Sequence, residues 1–326
     1  MFDSFGRNID YLRISVTDRC DLRCKYCMPK TMSFNDNEDI LTTDDLKTLI
    51  QIFVSLGIKK IKVTGGEPLV RKNVFDVFSY LNKFLQNGLL KEVSITTNGT
   101  QLEKKASSLK KNGIKRLNIS LDSLIEEKYN FITNGGNFIK VLNGIYLAKK
   151  LGFEIKINTV LINDFNDDEI INLCKWCSDN NFKISFIETM PLGKVEQNRS
   201  RSYFPTSKAM EIIKNKFGLR SSSYKTNGPS RYFFSEKINL TVGFISPISN
   251  NFCKTCNRIR ISSNGLLFGC LGDNGSVDLK KLLLEKNYIK LFKIIKMTIF
   301  NKPEKHHFNI NNKHPEINRN MNLTGG

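Results

Sequence analysis

The sequence predicts an α/β fold, an incomplete (β/α)6 barrel of the TIM type over residues 1–191, with a smaller C-terminal α+β region over residues 192–326. Three observations predict it. From Tyr11 to about Thr189, short β-rich runs alternate with helix-length amphipathic stretches, the pattern of βα units around a parallel sheet. The unit recurs six times, fewer than the eight that close a full barrel. After Pro191 the alternation stops, and a stretch rich in Ser, Arg and Asn from Glu196 to Ser207 reads as a connector.

The strands run Leu12 to Val16, Lys60 to Thr64, Glu92 to Thr97, Lys115 to Leu121, Glu154 to Leu161 and Lys183 to Glu188. Helical periodicity covers Thr43 to Leu56, Val74 to Asn87, Gln101 to Asn112, Phe138 to Leu151 and Asp168 to Asn180, and Thr42 and Asp167 are polar starters suited to N-caps. Barrels of this kind hold ligands where strands end and βα loops begin. Those ends carry the unusual residues: a cysteine loop after Val16, glycines after Thr64, Asn98 with Gly99, Ser120 with Asp122, and Glu188 to Met190. Beyond the connector come a helix near Ser207 to Phe217, strands near Arg231 to Phe234 and Leu240 to Ile245, a second cysteine group and terminal helices. The final residues are polar and aperiodic and end Thr324, Gly325, Gly326.

At 326 residues and 40% hydrophobic, the chain can bury one large core or two smaller ones. The opening residues run straight into a strand pattern, with no apolar signal core, so a cytoplasmic location is expected. Tyr288 to Phe300 is apolar but broken by Lys290, Lys293 and Lys296, well short of the ~20 residues that span a bilayer, so no membrane partner is expected. Fifty Lys and Arg against 31 Asp and Glu give a net charge of +19. Such a balance favours anionic partners, or else reflects a compositional bias that decorates solvated faces; both readings stay open.

Eight cysteines without a secretion signal point to metal or redox chemistry in a reducing compartment rather than to disulfides. Cys20, Cys24 and Cys27 form C-x3-C-x2-C directly after a strand, with no nearby His and no fourth Cys. Structural zinc closes four ligands, so three thiols in one loop suit it poorly. A four-iron cluster given only three thiolates keeps one iron open for an external ligand. At these residues, CDLRCKYC, the chain resembles the radical S-adenosylmethionine family. That resemblance implies that the open iron chelates S-adenosylmethionine, whose reductive cleavage gives a 5′-deoxyadenosyl radical. It also implies that Tyr26 touches the adenine, where a packing aromatic is the plainer reading.

Gly65, Gly66, Glu67 and Pro68 follow the second strand, where glycines let backbone approach a ligand. Alone this is a tight turn. Beside the cysteine loop it is similar to the family's GGEP element, which implies that Gly66 binds the methionyl amino group. Ser120 and Met190 match positions that contact the same ligand, although Met190 unaided reads as core filling.

Cys253, Cys256 and Cys270 make C-x2-C-x13-C. A zinc knuckle borrowing His306, His307 or His314 is one reading; a second 4Fe–4S cluster with an open iron is the other. Arg258 and Arg260 follow at alternate strand positions and point the same way, and guanidinium forks suit phosphate. CKTCNRIR with Cys270, FGRNIDYLRISVTDRC and the terminal Gly-Gly together look like the molybdenum cofactor biosynthesis A branch of the family. That branch implies two 4Fe–4S clusters, S-adenosylmethionine, and a GTP 3′,8-cyclase. In it the radical takes hydrogen from ribose C3′, and C3′ then attacks guanine C8. It further implies GTP contacts at Arg13, Thr96, Lys156, Arg258, Ile259 through its backbone, and Arg260. Lys156 is aligned from its local context, IKINTV, because the segment from Asn134 to Asn137 is about one residue short of the branch's pattern.

Lys62 stands where the branch usually has Arg, keeping the charge and losing the fork. Arg258, Arg260, Gly325 and Gly326 are the catalytic residues the resemblance implies, the Gly-Gly tail entering the active site. Its partners would be an electron donor and, downstream, cyclic pyranopterin monophosphate synthase, with room for a homodimer. No RNA-binding appendage or aromatic-interleaved basic repeat is present, so no nucleic-acid partner is expected. A radical enzyme modifying RNA or peptide, or a zinc protein binding nucleic acid, are the rival readings. Cys174 and Cys177 also read C-x2-C, but share a helical stripe with Ile170 and Leu173 and are expected to be buried as small hydrophobes.

Overall fold

A computed structural model describes residues 1–326 apart from 196–197, 227, 313–314, 316 and 326. Its first half is six βα units. They comprise β1 (Tyr11–Ser15), α1 (Thr43–Ser55), β2 (Lys60–Thr64), α2 (Val74–Gln86), β3 (Glu92–Thr97) and α3 (Leu102–Lys111). Then follow β4 (Arg116–Ser120), α4 (Glu126–Thr133), α5 (Phe138–Lys150), β5 (Glu154–Leu161), α6 (Ile170–Asp179) and β6 (Lys183–Glu188). The six strands pair in parallel in chain order.

Alternation along these strands sorts the two faces. Leu12, Ile14, Ile61, Val63, Val93, Ile95, Leu117, Ile119, Ile155, Ile157, Ile184 and Phe186 are buried in one hydrophobic layer with the helices. The intervening positions, Arg13, Lys62, Ser94, Asn118, Lys156 and Ser185, are polar and point the other way. Side chains from β1 to β6 line a common cavity, so this polar face is the concave one. Each fully buried aliphatic side chain contributes ~1.5–3 kcal/mol, and the outer layer therefore stabilises a sheet whose inner face does not.

The remaining elements are α7 (Arg199–Ser202), α8 (Thr206–Phe217), β7 (Arg220–Ser221), β8 (Arg231–Ser235), β9 (Leu240–Ile245) and β10 (Arg258–Ile261). They end with β11 (Leu266–Phe268), β12 (Val277–Asp278), α9 (Leu279–Leu284), α10 (Tyr288–Phe300) and α11 (Met321–Thr324). Their strands do not form a separate layer. β9 adds parallel to β6, β10 adds parallel to β1, and antiparallel strands extend both edges into one 12-stranded sheet. The expected connector begins at Glu196, which lies outside the described residues; its later part holds α7.

β1, β4 and several helix ends differ from the expected bounds by one or two residues, and α4 has no counterpart among the expected helices. Thr42 caps α1 in a reciprocal box with Asp45. Asp167 does not cap α6, because a 3-10 turn over Asp167–Glu169 precedes that helix and the Asp167 carboxylate accepts from Phe165 N at 3.1 Å instead. The aperiodic tail contains the short helix α11. Cys174 and Cys177 are fully buried in α6. Among the described residues, no helix is long and apolar enough to cross a membrane.

Glu188, at the end of β6, joins the two halves. Fully buried, it accepts from Thr206 N at 3.1 Å, Thr206 Oγ1 at 3.2 Å, Ile248 N at 2.9 Å, Ser249 N at 3.0 Å and the Ser249 hydroxyl. Glu188→Gln turns an amide donor against this ring of donors. We expect about 2–3 kcal/mol lost from unfolding free energy, measured by urea denaturation; an unchanged midpoint would refute the joining role.

Candidate active site

The first cysteine loop is fixed by the loop after β2. Gly66 N donates to Thr17 O at 2.8 Å and Glu67 N to Arg19 O at 2.9 Å. A Cβ on Gly66 would lie 2.4 Å from Arg19 O, and one on Gly65 would lie 2.6 Å from Thr17 O. These glycines are required by backbone packing against the cysteine loop, whatever ligand their open side meets. Glu67, fully buried, then accepts from Leu69 N at 3.0 Å, Thr97 Oγ1 at 2.8 Å and Asn98 N at 2.7 Å, and burial raises its carboxyl to about 7.

Two further carboxylates hold the loop, Asp21 from within it against the end of β3 and Asp122 from the end of β4. Asp21 accepts from Asn98 Nδ2 at 2.8 Å, Thr100 Oγ1 at 2.6 Å and Gln101 Nε2 at 2.8 Å. Tyr26 Oη donates to Asp122 at 2.7 Å, and Asp122 also accepts from Val160 N at 2.8 Å; burial raises this carboxyl to about 6. The Tyr26 hydroxyl thus fixes loop geometry.

Cys20, Cys24 and Cys27 line a cavity together with Tyr26, Gly66, Ser120 and Met190. Burial pushes the Cys20 and Cys27 thiols up to about 12, and Cys24 well above the ordinary range. Such thiols stay protonated until a metal supplies the positive charge that ionises them. Three sulfurs with neither His nor carboxylate lining the same cavity among the described residues fit an iron–sulfur cluster by donor chemistry.

A second cavity shares Thr96, Asn158, Ile187 and Met190 with the first, so the two adjoin inside the barrel and together form its chamber. Cys253, Cys256 and Cys270 line its far end. Cys256 precedes β10, which pairs in parallel with β1 (Tyr11 opposite Arg258), whereas Cys20 follows β1. The two trios therefore stand at opposite ends of the strands. Cys256 is buried, which disfavours its thiolate, but Arg258 and then Lys302 reverse this and lower it to about 7.

Between the trios lies a row of cations. Register sets Arg260 opposite Arg13, and Arg13 opposite Lys62. Their residues are 8% exposed, with Lys156 and Arg258 at 7%. Burial and mutual repulsion lower Lys62 and Arg260 well below their ordinary values, and Arg13 to about 10. Like charges ~6 Å apart repel by ~3 kcal/mol at an effective dielectric of ~20. Among the described residues, no Asp or Glu lines this cavity to offset that repulsion.

Of the residues singled out from sequence, all six cluster cysteines, Tyr26, Gly66, Ser120, Met190, Arg13, Lys62, Thr96, Lys156, Arg258 and Arg260 line the chamber. Ile259 does not; its side chain is buried in the outer layer, because alternation on β10 turns it away from the lumen. Gly325 is in place: its carbonyl accepts from Arg260 Nη1 at 2.6 Å, and a Cβ there would lie 2.1 Å from Thr64 Oγ1. Gly326 lies outside the described residues, as does His314. Sequence reasoning missed Arg116, Asn118, Asn158 and Lys302, which also line the chamber. The first three occupy inward positions of β4 and β5, a signal the alternation already held. Among the described residues, no group of His, Cys, Asp or Glu is arranged to hold a single metal ion, so each trio borders a space rather than closing on a point.

A parallel partial barrel with three thiols in the loop after its first strand is the layout of a radical enzyme built on an iron–sulfur cluster. The sequence matches the Radical SAM superfamily over residues 14–177 and Molybdenum Cofactor Synthesis C over residues 182–308. The chain belongs to the Radical SAM superfamily and, across its length, to the family of the GTP 3′,8-cyclases. The proteins of that name from Brucella ovis and Brucella suis are each 43% identical over 329 residues, an alignment that spans 100% of this chain and 96% of theirs. Streptococcus suis SuiB bound to S-adenosylmethionine superposes with a TM-score of 0.63 over 97% of this chain and 77% of that one. At 16% identity that likeness speaks for the fold alone. Membership brings S-adenosylmethionine and a 4Fe–4S cluster as cofactors of this enzyme.

Gly66→Ala should separate the two loops and lower iron affinity at the first trio ~10- to 100-fold. Anaerobic iron analysis with S-adenosylmethionine binding reads this; wild-type values for both would show that the glycine contact is dispensable.

Proposed function

We propose that the chain converts GTP to 3′,8-cyclo-7,8-dihydroguanosine 5′-triphosphate, the first step of molybdenum cofactor biosynthesis. The observation that carries this reading is the buried row Arg260, Arg13, Lys62, with no Asp or Glu among the described residues lining its cavity, lying between two thiol trios. A polyanion is what such a row lacks, and a nucleoside triphosphate spans from cations to a far metal corner. Cys20, Cys24 and Cys27 would hold the first cluster, and Tyr26, Gly66, Ser120 and Met190 would position S-adenosylmethionine beside it. When bound, these groups supply reductive C–S cleavage and a hydrogen-abstracting radical.

Cys253, Cys256 and Cys270 would hold a second 4Fe–4S cluster that meets the guanine edge. Arg13, Lys62, Lys156, Arg258 and Arg260 grip the triphosphate, with Thr96 beside the ribose and Ile259 limited to its main chain. Lys156 is held toward the lumen through its bond to Tyr232 Oη at 3.4 Å. Arg258, Arg260 and the Gly325–Gly326 tail would serve catalysis, Arg260 exchanging the Gly325 carbonyl for a substrate oxygen.

The reaction would move hydrogen from C3′ to the 5′-deoxyadenosyl radical, giving 5′-deoxyadenosine, form the C3′–C8 bond, and restore the electron count by adding one electron and one proton to the purine. Counting the electron for C–S cleavage, a one-electron donor acts twice per turnover. The product would pass to cyclic pyranopterin monophosphate synthase in the cytoplasm. The cations of the lumen are buried, which favours a small substrate over RNA or peptide as their ligand.

Reduced enzyme given S-adenosylmethionine and GTP should yield 5′-deoxyadenosine above the no-GTP background, together with the cyclic product. A background-level yield would sink the reading. Arg260→Ala should weaken GTP binding ~10- to 100-fold while uncoupled cleavage of S-adenosylmethionine persists. Cys270→Ala should lose the iron of the second trio alone; an unaltered iron content would remove Cys270 from the ligand set.

A further inference from the structure

The residues preceding β1 carry no thiol, yet they close on the second trio. Phe2 bridges Asn8 in antiparallel fashion and Ile9 N donates to Met1 O at 2.7 Å, which folds the segment into a hook. At its bend Asp3 and Arg7 are buried, 4% and 8% exposed. Asp3 accepts from Arg7 N at 2.9 Å and pairs with Arg7 Nε at 2.5 Å.

The rest of the guanidinium faces main chain from two distant segments. Nη1 donates to Cys253 O at 3.0 Å and to Glu304 O at 2.7 Å. Nη2 donates to Lys302 O at 3.3 Å and to Pro303 O at 2.6 Å. A guanidinium has five N–H donors, and here all are occupied. The Cys253 carbonyl also accepts from Cys256 N at 3.1 Å, so one acceptor ties two of the three cysteines to Arg7. The third is reached through Lys302, 2% exposed, whose Nζ donates 2.6 Å to the carbonyl of Gly269, the neighbour of Cys270. The His306 main-chain N–H, four residues past Lys302, faces the Cys253 sulfur.

We propose that Arg7 is a positioning residue for the second cluster, a five-donor clasp that sets the spacing of Cys253, Cys256 and Cys270 before iron arrives. The proposal rests on the reading of that trio as a cluster site. The β10–β11 ladder brings Cys256 near Cys270, but Cys253 opens a 3-10 turn and the 301–308 segment is irregular, so neither of these is held by a helix or strand ladder. Outer partners of this kind orient metal ligands, and only a planar fork with five donors reaches both segments at once.

The test uses full-length wild type, Arg7→Gln, Arg7→Lys and Cys253→Ala, reconstituted anaerobically with iron and sulfide. Iron per chain, the electron paramagnetic resonance signals of each centre, and GTP and S-adenosylmethionine affinities are measured. Arg7→Gln should fall to the iron content of Cys253→Ala and bind GTP ~10-fold or more weakly. It should keep the first centre's signal and that signal's response to S-adenosylmethionine. Arg7→Lys, with three donors and no fork, should lie between. Full iron and wild-type GTP affinity in Arg7→Gln would overturn the clasp while leaving the second cluster standing. Joint loss of both centres with loss of folded signal in both Arg7 variants would also overturn it, since it would make Arg7 a general stabiliser. A wild type that holds only one centre would remove the cluster reading and the clasp with it.

Discussion

Repulsion within the lumen is the constraint to which the rest of the structure answers. Arg260, Arg13 and Lys62 are direct neighbours across β10, β1 and β2, on the same face and out of water. Like charges placed opposite one another weaken a sheet, and among the described residues no Asp or Glu lines the cavity to relieve them. The aliphatic layer outside the barrel, continuous from Leu12 to Phe186 and locked by the helices, supplies the stability that this arrangement removes. What the row gains is a preformed field for anions, in a setting where charge interacts far more strongly than in water.

The carboxylates of the molecule follow from the same logic. Among the described residues no Asp or Glu lines the cation cavity, and several work at its margins, each satisfied by more than one donor. Glu67, Asp21 and Asp122 fasten the first cysteine loop, Glu188 fastens the C-terminal region to β6, and Asp3 serves Arg7. These acids serve as scaffolding around a lumen lined by bases, within a chain of +19.

Much of the fold was legible because period-2 alternation and helical periodicity are local signals. The bounds of β2, β3, β5, β6 and β9 agree residue for residue, and the cysteine, glycine and polar strand-end positions converge on one chamber. What escaped was set by partners far along the chain. Arg116, Asn118 and Asn158 lie at inward positions, but a single strand does not say that its polar face is a shared lumen. The placement of β10 beside β1 depends on a pairing across more than 240 residues, and it fixed which of Arg258, Ile259 and Arg260 look inward. The glycines after Thr64 read as room for a ligand, whereas their Cβ positions are blocked by the backbone of Thr17 to Arg19. Asp167 failed as a cap for a purely local reason, the 3-10 turn ahead of α6.

The adjacency of β10 to β1 also governs when the protein can become whole. On a ribosome, β1 emerges among the first segments, and its outer edge has no neighbour until Ile261 has been made. For most of synthesis that edge is an open template of the sort that invites stray pairing. The row of Arg260, Arg13 and Lys62 has the same late birth, because its third member arrives only with β10. The first cysteine loop waits longer still, since Asn322 of α11 donates its Nδ2 to Asp18 O at 2.9 Å.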